Sequence, residues 1–213
     1  MDPISLLISQ VLRASQPGTI AQINRIESPI VRIRPAQGGD SPAAVGVELG
    51  LGDTILTRDR GRTEVLFRNG VGVRLGGNAQ LVLQPQNRLN LRAGEMITWV
   101  MPGKSLPLSI TTPLATAAIR GTTVYVEYLP KGQIRFFAWE GRVSVIPTDG
   151  SPPLTLTTGE EVVLTPGQPT PPIRRMSVAE WQKHRQTARF LRSFPQPLPT
   201  QPLIDRLLPG EVP

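Results

Sequence analysis

A succession of short β-branched segments, each ended by a glycine or asparagine turn, is the feature that most restricts how this chain can fold. Strands are expected at 53–57, 63–67, 71–75, 80–83, 88–91 and 95–100. Asn69-Gly70 lies between two of these segments and is a strong signal for a β-hairpin. Turns at this spacing predict an all-β structure of short, mainly antiparallel strands, either a curled roll or a sandwich.

Two later segments repeat the pattern of a glycine turn followed by a β-branched strand. Ala93-Gly94-Glu95 precedes one such strand, and Thr158-Gly159-Glu160 precedes another. No strict period connects the two segments, so the layout is solenoid-like at most. The aromatic side chains of Phe136, Phe137 and Trp139 are expected to fill the core rather than to stack on a ligand.

The run from 111 to 126 joins the two halves of this pattern. Thr112-Pro113 begins it with restricted backbone geometry, small residues follow, and Arg120-Gly121-Thr122 forms a turn before Val124 and Val126. Gly121 permits a turn that a residue with a Cβ would resist. We therefore expect a loop of small residues that delivers Arg120 to the start of a strand.

These residues resemble the FecR domain, the bacterial envelope module best known from iron-uptake signalling. The resemblance rests first on Thr112-Pro113-Leu114-Ala115 and Ile119-Arg120-Gly121-Thr122. Four further segments match the family pattern: Leu51-Gly52-Asp53-Thr54-Ile55-Leu56-Thr57, Phe67-Arg68-Asn69-Gly70, Trp139-Glu140-Gly141-Arg142-Val143 and Thr158-Gly159-Glu160-Glu161-Val162-Val163. The resemblance implies a non-enzymatic binding or signalling module of the periplasm or cell envelope, whose partner is another envelope protein.

The same motifs supply the candidate binding or structural residues, which are Thr112, Pro113, Arg120, Gly121, Thr122, Glu140 and Gly141. The best-known regulators of the family carry a cytoplasmic anti-sigma segment and a membrane span before the periplasmic domain. Residues 1–18 are too short to supply either segment. The expectation is therefore a stand-alone envelope adaptor rather than a sigma-factor regulator.

Arg120 has a structural and a functional interpretation. Its guanidinium group could tie the small-residue loop to carbonyl groups or to the carboxylate of Glu140 or Glu127, or it could present a fork to an anionic ligand. The structural interpretation is favoured. It predicts that Arg120→Ala measurably destabilises the fold.

The charge balance suggests two alternative functions. Lys+Arg total 23 against 16 Asp+Glu, which gives a formal net charge of +7, and most of the positive charge is arginine. This excess suits a cytoplasmic nucleic-acid-binding protein or a binder of anionic envelope polymers. Nucleic acid is the less favoured partner, because no helix-turn-helix, RRM or OB signature is recognised and few aromatic residues are placed for base stacking.

The residue inventory gives no support for catalysis or metal binding. The chain has no cysteine and one histidine, His184, and it lacks the nucleophile-elbow, P-loop, dinucleotide-binding and zinc-protease motifs. Glu140, Glu160 and Glu161 lie beside glycine turns, where glutamates are usually solvated. We therefore expect no enzymatic activity, no catalytic residue, no metal site and no cofactor.

The two ends of the chain differ from the β-rich middle. Residues 1–18 include the apolar run Ile4–Leu12, which is expected to form a short amphipathic helix or the remnant of a signal peptide, and which is too short to span a bilayer. Because no clear signal peptide is present, a cytoplasmic location stays open beside the envelope. The expected domain limits are 19–165 for the β domain, 166–176 for a proline-rich linker and 177–213 for a C-terminal helix and tail.

The C-terminal helix is expected to begin at a capping box formed by Ser177 and Glu180 and to end near Arg192. Trp181 would dock this helix on the sheet, as part of an apolar stripe with Val178, Ala188 and Leu191. Lys183, Arg185, Arg189 and Arg192 would form a basic face. That face is either solvated or a surface for an anionic partner.

Overall fold

The computed structural model describes residues 18–28 and 30–213, and a little under half of these residues form two stacked nine-stranded sheets. The first sheet contains β1 (Thr19–Ile26), β4 (Glu48–Gly50), β6 (Thr63–Phe67), β7 (Val71–Leu75), β10 (Glu95–Val100), β13 (Thr123–Tyr128), β14 (Ile134–Glu140), β17 (Glu160–Leu164) and β18 (Arg174–Arg175). The second sheet contains β2 (Val31–Arg34), β3 (Ser41–Pro42), β5 (Thr54–Thr57), β8 (Gln80–Gln84), β9 (Arg88–Ala93), β11 (Pro107–Thr111), β12 (Ala115–Arg120), β15 (Arg142–Pro147) and β16 (Leu154–Thr157). A 3₁₀ turn at Pro130–Gly132 and the helices α1 (Val178–Thr187), α2 (Arg189–Arg192) and α3 (Gln201–Arg206) complete the described elements.

The connectivity produces a sandwich that grows steadily along the chain. After a strand or a hairpin in one sheet, the chain crosses to the other sheet and adds the next strands beside those already placed. Among the described strands every pairing is antiparallel, apart from the parallel pairing of β9 with β11. Asn69-Gly70 connects β6 to β7 as expected, and Gly70 has a φ of +94°. The expected all-β fold of short, mainly antiparallel strands with a C-terminal helix is confirmed, and of the two expected arrangements, a curled roll or a sandwich, the structure has the sandwich.

The main core lies between the two sheets. Along each strand, every second side chain points between the sheets and contributes to this core. Examples are Val65 and Val73 from the first sheet and Ala117 and Val145 from the second. A strand whose alternate side chains are buried against a second sheet has its register fixed, since a shift by one residue would expose its whole apolar set.

The run of small residues before Arg120 is a strand rather than the expected loop. Residues 115–120 form β12, which pairs with β11 on one side and β15 on the other. Ala115, Ala117 and Ile119 are buried in the core, while the alternate residues face outward. Alanine has little intrinsic preference for strands, but pairing on both edges and burial on one face override that preference.

A second apolar cluster covers the outer face of the first sheet. The cluster joins this sheet to the C-terminal segment that contains α1, α2 and α3. The sheet contributes Ile97, Trp99, Phe137 and Trp139, and the segment contributes Trp181, which is fully buried. The ring of Trp99 lies over Gly72 of the neighbouring strand, where a Cβ atom would overlap the indole. The expected role of Phe137 and Trp139 in packing is therefore confirmed, although they serve this outer cluster.

Arg74 on β7 fastens the C-terminal segment to the first sheet. Its side chain is 1% exposed, and its Nε donates to Glu64 Oε2 at 2.8 Å. The two terminal nitrogens donate to the carbonyl oxygens of Phe190 at 2.8 Å and Gln196 at 2.6 Å. The guanidinium carbon also lies 4.2 Å from the ring centroid of Phe194. Because each nitrogen of the fork has an acceptor, the charge is compensated although it is buried.

The capping box at the start of α1 is confirmed, with reciprocal hydrogen bonds between Ser177 and Glu180. The helix ends earlier than expected, because Ala188 adopts an extended conformation and separates α1 from α2. Trp181 and Leu191 are buried as predicted, whereas Val178 is exposed.

The predicted N-terminal helix or signal remnant lies outside the described residues. Among the helices in the described part of the chain, none is both long and apolar enough to cross a bilayer.

We predict that Arg74→Met lowers the free energy of unfolding by about 3–5 kcal/mol, because it leaves the carboxylate of Glu64 buried without its cation. Urea unfolding followed by tryptophan fluorescence will measure this change. The double variant Arg74→Met/Glu64→Gln should recover part of the loss.

Arg68→Met is the matched control. Arg68 also pairs with a glutamate, Glu48, but its side chain is 65% exposed, so the expected cost is below about 1 kcal/mol. Equal costs for the two arginine substitutions would show that burial of Arg74 does not determine its contribution.

Candidate functional site

Two crossover turns lie side by side at one edge of the sandwich. The first, Gly121-Thr122, carries the chain from β12 to β13, and the second, Gly141, carries it from β14 to β15. Thr123 pairs with Glu140 in the first sheet. A Cβ atom on Gly141 would overlap Cγ2 of Thr122. The turns of the two motifs are thus packed together although they are about twenty residues apart in sequence.

Arg120 lies on the outer face of the second sheet, at the end of β12. Ile119 pairs with Val143, so continuing this register by one residue places Arg120 directly opposite Arg142 on β15. Both arginines are exposed, and neither guanidinium group has a hydrogen bond or ion pair with a described residue. The expected contact of Arg120 with Glu140 or Glu127 is not formed: Glu140 accepts from Thr123, and Glu127 pairs with Arg135.

The two arginines line a shallow groove of about 380 Å³ on the second sheet. We call it the arginine groove and define it by Ser109, Ala118, Arg120, Arg142, Ser144 and Thr155. Its small side chains let a ligand approach the sheet closely. Opposite residues of an antiparallel pair have Cα atoms about 5 Å apart, so two uncompensated guanidinium groups lie within reach of one anion.

Charge is divided unequally between the two sheets. The strands of the second sheet carry Arg32, Arg34, Arg88, Arg92, Arg120 and Arg142 and no acidic residue. The strands of the first sheet carry seven glutamates and five arginines. The glutamates are Glu48, Glu64, Glu95, Glu127, Glu140, Glu160 and Glu161, and the arginines are Arg25, Arg74, Arg135, Arg174 and Arg175. Each of these glutamates has a hydrogen-bonding partner within the protein. Arg34 is paired with Asp40, and Arg32 and Arg88 donate to backbone carbonyl groups. The guanidinium groups of Arg92, Arg120 and Arg142 have no partner among the described residues, so the outer face of the second sheet carries unpaired positive charge.

Thr112-Pro113 lies at the other end of β12, far from the arginine groove. Thr112 Oγ1 donates to the carbonyl oxygen of Ala115 at 2.8 Å and accepts from the backbone N–H of Ala115 at 3.1 Å. The carbonyl oxygen of Pro113 accepts from Thr148 Oγ1 at 3.0 Å. These contacts close the turn between β11 and β12. The structure thus brings Arg120, Gly121, Thr122, Glu140 and Gly141 together and separates Thr112 and Pro113 from them.

Glu140 lies beneath the crossover turns, on the side of the C-terminal helices. It is 1% exposed, its Oε1 accepts from Thr123 Oγ1 at 3.0 Å, and Thr123 Oγ1 lies 2.7 Å from Thr200 Oγ1. Its Oε2 has no partner among the described residues. Burial raises the pKa of Glu140 although the hydrogen bonds from Thr123 oppose this shift. The group therefore acts as a packed polar contact between the first sheet and α3.

The predicted basic face of the C-terminal helix is largely used in packing. Arg185 donates to the carbonyl oxygens of Ile204 and Asp205, Arg189 pairs with Glu95, and Arg192 donates to the carbonyl oxygen of Arg185. Lys183 is exposed, and its ammonium group has no hydrogen bond or ion pair with a described residue; its carbonyl oxygen accepts from Thr187 Oγ1 at 3.0 Å. The role of these four residues as a binding surface stays a prediction.

Sequence reasoning missed Arg142 as a partner of Arg120. Both residues follow or precede a glycine turn in the recognised motifs, at Arg120-Gly121 and Gly141-Arg142. Pairing those two turns as neighbouring crossovers would have placed the arginines opposite each other. The register that does so is a long-range property, which the local pattern does not contain.

We predict that Gly141→Ala lowers the free energy of unfolding by about 2–4 kcal/mol, through backbone strain and overlap with Thr122. Gly150→Ala is the matched control, because Gly150 has a φ of +84°, close to the +82° of Gly141, and open space around its Cα. Its cost should be about 1–2 kcal/mol from the backbone alone. Thr122→Ser removes the overlapping methyl group and should partly restore stability in the Gly141→Ala background; an unchanged double variant would contradict the overlap.

The raised pKa of Glu140 gives a second prediction. A carboxyl group whose pKa is raised by folding stabilises the fold below its unfolded pKa, and this contribution is lost as the pH rises through its folded pKa. The free energy of unfolding of Glu140→Gln should therefore equal that of the natural protein at about pH 4 and exceed it at about pH 8. Urea unfolding across this range will measure the difference. Burial lowers the pKa of His184, which is present in both proteins. A difference in stability that is constant with pH would therefore exclude titration of Glu140.

Comparison with known proteins agrees with this geometry. Residues 53–144 match the family model described as FecR protein. A candidate anti-sigma factor from Parabacteroides distasonis ATCC 8503, in a crystal structure at 2.50 Å, has a TM-score of 0.51 and 15% identity, with 63% of this chain and 64% of that chain covered. A second crystal structure of a candidate anti-sigma factor from the same organism, at 1.65 Å, gives a TM-score of 0.50 and 14% identity, with 62% and 64% covered.

The chain thus spans less than two thirds of the length of these solved proteins, and identity this low establishes a shared fold alone. No curated protein matches the chain. The family match includes both crossover turns, together with Arg120 and Arg142 of the arginine groove. Residues 53–144 of this chain are therefore similar to proteins of the FecR family.

Proposed function

We propose that this protein is a non-enzymatic binding and signalling module of the bacterial cell envelope that acts through protein–protein contacts on the outer face of its second sheet. The family match and the fold shared with candidate anti-sigma factors support a regulatory role. The envelope location is part of the proposal and rests on the family resemblance.

The observation that carries the proposal is the contrast between the two outer faces. The C-terminal helices cover the first sheet with an apolar cluster around Trp181. In the described part of the chain, no helix packs on the second sheet, and its strands carry arginines without any acidic residue. Like charges placed directly opposite each other destabilise a sheet. The Arg120–Arg142 pair is therefore better explained by a partner that supplies negative charge than by a role in folding.

The same charge distribution favours a protein partner over nucleic acid. Base stacking on a sheet needs aromatic side chains, and the arginine groove has none among its lining residues. Its lining of serine, threonine and alanine suits hydrogen bonding and close approach by a polypeptide. An anionic envelope polymer is the alternative that the charges alone allow.

We predict that Arg120→Gln and Arg142→Gln change the free energy of unfolding by less than about 0.5 kcal/mol, because both side chains are exposed and unpaired. This differs from the destabilisation that sequence reasoning predicted for Arg120. Thermal and urea unfolding will measure it. A decrease of more than about 2 kcal/mol in the free energy of unfolding would show that Arg120 has a structural role.

Site-specific photo-crosslinking in the source cells tests the interaction itself. A photoreactive residue at position 144 lies on the floor of the arginine groove, and one at position 178 lies exposed on the helical side as a matched control. We expect a discrete adduct with one envelope protein from position 144 only, and its loss when Arg120→Gln and Arg142→Gln are combined. Equal adducts from both positions, or none from position 144, would refute the proposed surface.

A further inference from the structure

A second concavity adjoins the arginine groove at the end of the sandwich. We call it the end pocket; it has a volume of about 350 Å³. Its apolar lining comes from both sheets and from the turns at Leu51 and Pro85, and it includes Ile20, Phe67, Val71, Leu89 and Leu108. Arg68 and Arg88 also line the pocket. Leu51 is 47% exposed, which is high for a leucine beside an apolar core. The pocket therefore offers apolar surface that a side chain of a partner could cover.

Gln86 and Leu108 line both the end pocket and the arginine groove, so the two are continuous. Gln86 is held with a φ of +60° in the turn between β8 and β9, beside Asn87 with a φ of +55°. Glutamine rarely adopts this left-handed conformation, and residues held in such strained conformations cluster at functional sites. The amide of Gln86 makes no hydrogen bond with a described residue. The junction of the two concavities thus carries a free amide on a strained turn.

We propose that the groove and the end pocket together bind an extended peptide segment of the partner in which carboxylates lie next to an apolar residue. The carboxylates would pair with Arg120 and Arg142, the apolar side chain would enter the end pocket, and the peptide backbone would hydrogen-bond to Gln86. This inference rests on the proposed function and names the chemistry of its partner.

The combination of surfaces selects a peptide over the other anionic partners. An arginine fork binds carboxylate through two parallel hydrogen bonds. Buried apolar area beside such a charge contact is supplied by the side chains of a polypeptide, in which acidic and apolar residues are neighbours. An anionic polysaccharide or a nucleic-acid backbone would use the arginines, including Arg68 and Arg88 at the end pocket, and would leave the apolar lining of that pocket uncovered.

Titration of the isotopically labelled full chain with blocked peptides tests the proposal. The probes carry two adjacent glutamates next to a leucine, in both orders, with matched peptides in which glutamine replaces glutamate or serine replaces leucine. We expect saturable shifts of the Nε–H signals of Arg120 and Arg142. Each matched peptide should bind about tenfold more weakly, as loss of one charge-assisted contact or one buried apolar side chain implies.

Variants of the protein assign the binding to this site. Arg120→Gln and Leu51→Ser should each weaken the peptide about tenfold, because each removes one of the two contacts. Arg92→Gln is the matched control, since Arg92 is an exposed, unpaired arginine on β9 of the same sheet that lines neither concavity. Gln86→Gly should raise the midpoint of unfolding by relieving the strained turn, yet weaken the peptide. If the turn had only a structural role, Gln86→Gly would raise the midpoint of unfolding without weakening peptide binding.

Three outcomes would overturn the inference, and they separate its failure from that of the proposed function. If no peptide binds but photo-crosslinking captures an envelope protein from position 144, the partner class is wrong and the proposed function stands. If single-stranded DNA or heparin binds more tightly than every peptide and Leu51→Ser has no effect on it, the surface recognises a polyanion. If neither peptide nor protein is found, both proposals fail.

Discussion

The buried arginine of β7 determines which face of the sandwich is free. Arg74 binds Glu64 within the first sheet and two backbone carbonyl groups of the C-terminal segment, so one guanidinium group joins a sheet to the layer that covers it. Its nitrogens have few alternative acceptors once they are buried, and an unpaired charge there would be costly. The C-terminal helices therefore pack on the first sheet. In the described structure, the outer face of the second sheet is left exposed as a consequence.

Alternation between sheets explains how separate sequence motifs become one site. Each hairpin is followed by a crossover, and neighbouring hairpins place their crossovers at the same edge. Gly121-Thr122 and Gly141 pack together for this reason, and the ends of β12 and β15 then present Arg120 and Arg142 side by side. Substitutions in either turn should thus change the relative positions of Arg120 and Arg142 in the arginine groove, because the ends of both strands depend on the same close contact.

Local sequence patterns were sufficient to predict the hairpin at Asn69-Gly70 and the capping box of α1. The turn at Asn69-Gly70 and the box at Ser177 depend on residues a few positions apart, and both were predicted correctly. Three features depended on distant pairing and were not predicted: the alanine-rich strand β12, the burial of Arg74 and the position of Arg142. Each is decided by a neighbouring strand or by the C-terminal segment, up to about 120 residues away along the chain. The family resemblance identified the domain but carried no information about these contacts.

The unequal distribution of charge makes the molecule an electric dipole. The strands of the second sheet carry six arginines and no acidic residue, whereas those of the first sheet carry seven glutamates and five arginines. Because the net charge of the two sheets differs in this way, an external field exerts a torque on the protein as well as a force. Near an acidic surface the molecule should turn its second sheet toward that surface before contact, which raises the rate of productive encounters at low ionic strength. Added salt should slow association by screening this torque, while the lifetime of the complex, set by short-range contacts, should change much less.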